Sequence, residues 1–330
     1  MITRRNSIIA LGASAIAPMH SIAQQPSARV PRIGTFNVAA PGSVALARLQ
    51  AFRDGLREYG YVEGRNLQFE VRWGEGKLER LPVLAAEMVA LKVDVILVGG
   101  TAAADAALKA SRTIPIVMAL SSDPVGDGHA TSLARPGGNM TGLSAMSPEM
   151  GVKRIQLLKE TFPQLSRTLA VMWNPAQNGM RARFDQAKSA GPKLGLGVQS
   201  IEVRNLDEIG QAFEAMGKQL PEALVLIADP FTVSQRTRIV EFAAAKRLPA
   251  IYDSSDFVEN GGLMSYGPDP IALYRRAAYY VDRILKGANP GELPIEQPTT
   301  FEFVINQKTA RALGIKLPQS ILLQATRVIE

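Results

Sequence analysis

The chain has 330 residues, 46% hydrophobic and 20% charged, an ordinary globular composition long enough for about two domains. It contains no cysteine and only two histidines, His20 and His129. That excludes zinc–thiolate and iron–sulfur sites, disulfides, a cysteine nucleophile and a Cys-linked lipid, and leaves little for a histidine metal site. Lysine and arginine exceed the acids by seven without forming a run, so the surplus serves solubility and no nucleic-acid partner is expected.

Residues 1–23 have the layout of a secretory signal peptide. Met1 to Ser7 is short and positive, Ile8 to Ala17 is apolar, and Ser21-Ile22-Ala23 supplies the small residues before cleavage after Ala23. The apolar run is about half the length that spans a bilayer. Arg4-Arg5 suits a twin-arginine signal, but Ser7 stands where that pattern prefers a large apolar residue, so the Sec route is equally open. Cleavage removes Arg4, Arg5 and His20 and no acid, so the excess of seven positive charges falls to five. Residues 24–30 are polar and contain Pro26, a flexible leader.

From there the chain alternates strands and helices. Ile33 to Phe36 is a short strand, and Ser43 is placed to cap a helix running to Tyr59. Leu67, Phe69, Val71 and Trp73 alternate with polar residues, a strand with one solvated side. A helix near 78–91 leads to Asp94–Val98, apolar enough to be buried on both faces. Helix 102–110 leads to strand 114–120. Gly126 to Ala134, around His129, reads as helical, and Arg135–Gly142 as a turn-rich loop between two series.

The second series repeats the beat. Helices 149–160, 179–190, 207–219 and 232–246 alternate with strands 168–173, 196–203, 223–228 and 249–252. Gly261–Pro268 reads as turn, short strand, turn. Helix 270–286, strand Phe301–Ile305 and a closing helix complete the chain. This alternation builds parallel sheets with helices on both faces, and two series fit two doubly wound lobes.

Open parallel sheets bind ligands beyond the carboxyl ends of their strands. That rule selects Phe36 and Asn37, Gly99–Ala103, Ser121-Ser122-Asp123, Trp173-Asn174, Asp229 and Tyr252-Asp253. The loop at Gly100, Thr101 and Ala102 suits a small anion at a helix N-terminus; it equally suits a plain strand-to-helix turn capped by Thr101. Asp229 is placed to meet a ligand amine, or to cap the helix that follows. Phe36, Trp173 and Tyr252 are candidate apolar walls.

His129 stands alone and reads as structural. Gly142-Leu143-Ser144-Ala145-Met146 fails the G-x-S-x-G elbow at its last position. With no G-x-G-x-x-G and no P-loop, no nucleotide cofactor is expected, nor any other cofactor or metal, and no catalytic residue is assigned.

Several stretches together resemble one family. They are Asp123-Pro124-Val125, Leu133–Gly142, Gly261–Pro268, Leu293–Thr299 and Val304–Gly314. In matching order they are similar to the ABC transporter substrate-binding proteins of the tryptophan/tyrosine (TrpX-like) type, over essentially all of residues 31–330. The resemblance implies an α/β type I periplasmic binding fold, with two Rossmann-like lobes of parallel sheet joined by a three-crossing hinge. It implies lobes of 31–145 plus 267–298 and of 146–266 plus 299–330, and places the cleft on the loops already selected. Relatives usually carry an aliphatic residue at the position of His129, and lipid-anchored relatives carry a cysteine this chain lacks.

The expectation is a periplasmic receptor, monomeric and not an enzyme, that delivers a small carboxylate-bearing solute, such as an amino acid, to an inner-membrane ABC permease. In it the carboxylate meets Gly100–Ala102, Thr101 and Ser122, and an amine meets Asp229. A sensor serving a signalling partner and a secreted enzyme on the same fold are the alternatives.

Overall fold

The computed structural model describes residues 29–121, 123–145, 150–176 and 180–330. The expected signal peptide, most of the leader after it and Ser122 lie outside the described residues.

The first half runs β1 (Arg32–Asn37), α1 (Ser43–Glu58), β2 (Gln68–Trp73), α2 (Leu81–Ala90), β3 (Val95–Gly99), α3 (Thr101–Ala110), β4 (Ile116–Ser121) and β5 (Met140–Ser144). The second runs α4 (Met150–Thr161), β6 (Thr168–Trp173), α5 (Met180–Lys193), β7 (Gly197–Glu202), α6 (Leu206–Lys218), β8 (Ala223–Leu226), α7 (Pro230–Ser234), α8 (Arg236–Ala245) and β9 (Ala250–Tyr252). The remainder is α9 (Ser255–Glu259), β10 (Met264–Pro268), α10 (Pro270–Leu285), β11 (Phe301–Asn306), α11 (Gln307–Leu313), α12 (Gln319–Gln324) and β12 (Arg327–Ile329).

Two sheets result. The first is five-stranded, in order β2-β1-β3-β4-β5, and its pairs are parallel throughout. The second has seven strands in order β12-β11-β10-β9-β8-β6-β7. Its one antiparallel pair is β10 with β11, so β11 and β12 run against the other five strands. The chain is therefore two Rossmann-like lobes. It passes between them three times: after β5, between β10 and α10, and before β11.

Burial explains the central strands. Val95, Ile96, Leu97 and Val98 are all fully buried, and alternate residues feed opposite faces. Val95 and Leu97 pack with α1 and α10; Ile96 and Val98 pack with α2 and α3. Each such side chain contributes about 1.5–3 kcal/mol of burial. The second sheet repeats the plan. Val171 and Val225 face α4 and α5, while Met172 and Leu226 face α6 and α8.

Local expectations differ in several places. The single closing helix is two, α11 and α12, followed by strand β12. Gly42, not Ser43, is the N-cap of α1. Pro124 to Gly128 is a chain of turns rather than a helix; Asp123 organises it by accepting the Gly126 N–H at 2.9 Å. Met140 to Gly142, expected in a loop, begins edge strand β5, where Gly142 (φ +133°) passes so close to Met118 that a Cβ would lie 2.2 Å from its carbonyl oxygen. The helix expected over 232–246 is two, broken at Gln235 (φ −100°, ψ 11°).

Candidate functional site

A cleft of about 730 Å³ lies where the carboxyl ends of both sheets face each other. The first lobe contributes Asn37, Gly99, Gly100 and the start of α3. The second contributes Ala228, Asp229 and Asp253, with Arg154 from α4 and Arg183 from α5. Arg48 and Tyr274, from α1 and α10, line the first lobe's side of the mouth.

The first-lobe wall is built on the β3–α3 turn. Gly100 has φ +97°, a conformation natural only to glycine, and it is the N-cap of α3 with no side-chain cap bond. Its N–H donates to the Leu120 carbonyl at 2.6 Å. The first turn of α3, Thr101 to Ala103, therefore borders the cleft with uncapped N–H groups, an arrangement favourable to an anion.

Thr101 does not cap the helix; its hydroxyl donates to Asp127 at 3.1 Å. Burial pushes the Asp127 carboxyl up to about 6, against opposing pulls from Thr101 and His129. Behind it, His129 Nε2 lies 2.6 Å from Asp105 Oδ1. His129 is buried in this network and does not line the cleft.

The second-lobe wall is densely charged. Asp229 caps α7 through a reciprocal box: its Oδ1 accepts from the Thr232 N–H at 2.9 Å and the Thr232 hydroxyl at 2.7 Å. Its Oδ2 accepts from Asn174 Nδ2 at 2.7 Å. The capping role is thus realised, and both carboxylate oxygens are engaged, although the residue still borders the cleft. Asp253 accepts from the Ala228 N–H at 3.0 Å and from Arg183 Nη2 at 2.5 Å.

Arg154 is almost wholly enclosed, and its Nε donates to the Tyr266 carbonyl at 2.7 Å. Burial lowers its affinity for the proton to a pKa of about 10; Asp253 raises it and Arg183 lowers it further. Arg48 on the first lobe reaches over the cleft to Asp256 on α9, Nη2 to Oδ1 at 2.8 Å.

The sequence-selected residues divide accordingly. Asn37, Gly100, Thr101, Ala102, Asp229 and Asp253 come together on the cleft. Phe36, Trp173 and Tyr252 do not, because each lies fully in a lobe core. Phe36 packs under α2 and α3, Trp173 stacks on Phe184 at 4.8 Å, and Tyr252 stacks on Phe257 at 4.8 Å. Asn174, Ser121 and Asp123 are buried just behind the surface. Sequence reasoning missed Arg48, Arg154, Arg183 and Arg236, all lining residues from helices. A helical arginine gives no strand-end signal, and nothing in its neighbours marks which way it faces.

Comparison with known proteins agrees with this fold. Residues 38–329 match the family described as ABC transporter substrate binding protein. A tyrosine-binding protein of Clostridioides difficile (strain R20291) is 26% identical over 268 residues, 81% of this chain and 76% of that one. A Streptococcus pneumonia ABC domain, solved in complex with L-Trp, superposes with a TM-score of 0.81 at 27% identity, covering 91% of this chain and 99% of that one. A conserved domain protein of Vibrio cholerae gives 0.81 at 28% identity, over 91% of this chain and all of that one.

Proposed function

The chain belongs to the ABC transporter substrate binding protein family, and from that premise we propose that it is a periplasmic receptor delivering a small carboxylate-bearing solute, an aromatic amino acid or related organic acid, to an ABC permease. The observation that carries this reading is the cleft itself. Its volume, about 730 Å³, is that of a small-molecule site. Its walls carry guanidinium and carboxylate groups and an uncapped helix start, the complement of a zwitterion.

The relatives that bind tyrosine and tryptophan support an aromatic amino acid as the ligand. Among the described residues no helix is long and apolar enough to cross a membrane, and a cleaved export signal at 1–23 accounts for the periplasmic address. Closure moves 31–145 with 267–298 against 146–266 with 299–330, and the ligand favours the closed state by binding it more tightly.

Thermal unfolding against a panel of amino acids and organic acids tests the reading. A ligand at 100 times its dissociation constant adds about 2.7 kcal/mol, a shift of several degrees. A panel in which no carboxylate moves the melting temperature refutes it.

A further inference from the structure

We propose that Arg154, with Arg183 beside it, anchors the anionic group of the ligand on the second-lobe wall. The proposal rests on the reading of the cleft as a receptor for a carboxylate-bearing solute. It moves the carboxylate away from the Gly100–Ala102 turn, where the sequence placed it.

Arg154 is 3% exposed and borders the cleft. One of its five donors is spent on the Tyr266 carbonyl, while Nη2 is buried with no hydrogen-bond partner among the described residues. A buried donor left unmade is costly, and more so on a charged group. Its neighbouring charges act in opposite senses, Asp253 favouring the cation and Arg183 opposing it. Arg183 shares the same wall, and the carboxylate between the two, Asp253, is already committed to Arg183 and to the Ala228 N–H. Arg154 and Arg183 therefore share one neighbouring carboxylate, Asp253; Asp229, also on this lobe, has both oxygens engaged by Thr232 and Asn174.

A planar carboxylate on the ligand supplies both a further negative charge and the acceptors that a guanidinium fork is shaped to meet. The recess that Arg154 and Arg183 share beside the cleft measures only about 10 Å³. It holds at most one water-sized atom, so the anionic group is met at the cleft wall itself. The ligand class follows: a solute whose carboxylate is essential, with amide and amine analogues rejected.

The test is titration calorimetry on the full chain with L-tyrosine, L-tryptophan, benzoate and the two amino-acid amides. The wild type is expected to bind a carboxylate at least 100-fold more tightly than its amide. Arg154→Gln, which keeps a donor for Tyr266, is expected to weaken that carboxylate on the order of 100-fold, and Arg154→Lys to recover part of the loss. Arg154→Gln binding within twofold of wild type overturns the anchor and leaves the receptor reading standing. Acid and amide binding equally to the wild type does the same, and needs no variant to fold. A wild type that binds none of the carboxylates overturns the receptor reading and the anchor together.

Discussion

Asp256→Asn probes whether the cleft is held shut from within. Arg48 projects from α1 on the first lobe and Asp256 from α9 on the second, and their side chains are 17% and 16% exposed. A fully exposed pair contributes about 0–1 kcal/mol, and one with both partners enclosed loses several when broken. This half-enclosed pair is intermediate, about 1 kcal/mol. The asparagine keeps shape and an acceptor but removes the charge.

Losing about 1 kcal/mol of inter-lobe attraction lowers the closed-to-open ratio about fivefold. Where the closed form is the minor one, apparent affinity falls by the same factor. Calorimetry with L-tyrosine or L-tryptophan should show a dissociation constant raised up to about fivefold where the open form prevails, and X-ray scattering a larger ligand-free radius of gyration where the closed form is well populated. Arg48→Gln should do likewise, and the double variant should be no worse than the worse single. Additive losses mean that each residue touches the ligand separately, and they refute the inter-lobe account, as do an unmoved affinity and radius.

Gly55→Ala should destabilise the first lobe. A Cβ there would lie 2.4 Å from the Arg275 carbonyl oxygen and 2.9 Å from Ala278 Cβ, so α1 and α10 must part at a cost of about 1–3 kcal/mol; a melting temperature unchanged by circular dichroism contradicts that packing. Asp127 gives a pH signature. Its raised folded pKa, about 6, means the folded state holds the proton more tightly than the unfolded chain does. Its contribution to stability is full below the ordinary carboxylate value of about 4 and is lost as pH rises through 6. Asp127→Asn mimics the neutral form and still accepts from Thr101, so its melting temperature should exceed wild type by a margin that grows from pH 4 to 8; parallel curves refute the assignment.

What was legible in the sequence follows from what strands and helices advertise. Continuously apolar runs such as Val95–Val98 and Ala223–Leu226 announce strands covered on both faces, and the residues after them fall at the carboxyl ends by topology alone. Hence Asn37, Gly100, Thr101, Asp229 and Asp253 reach the cleft. The aromatic walls failed for a reason of period. Phe36, Trp173 and Tyr252 are the last or next-to-last residues of their strands, still inside the pleat, and the pleat turns them under helices.

The arginines were illegible because their position depends on how helices from one lobe lean over the strand ends, a tertiary property. Gln235 interrupts a helical pattern with no proline or glycine to announce it. β12 is three residues long, Arg327–Ile329, and acquires its identity from pairing with β11.

Helix α10 has a consequence for the order in which the molecule can be made. Its Leu273, Tyr274, Ala277 and Val281 share a core with Phe52, Leu56 and Leu97, and its Arg275 meets Glu58 across 217 positions of sequence. A chain emerging from the ribosome amino end first has all five strands of the first sheet long before the helix that covers one face of it. Until residue 285 is out, that face has only α1 over it, and closing so long a loop carries an entropic cost that no local contact repays. The front half of the protein thus completes its packing only when its last fifth has been made.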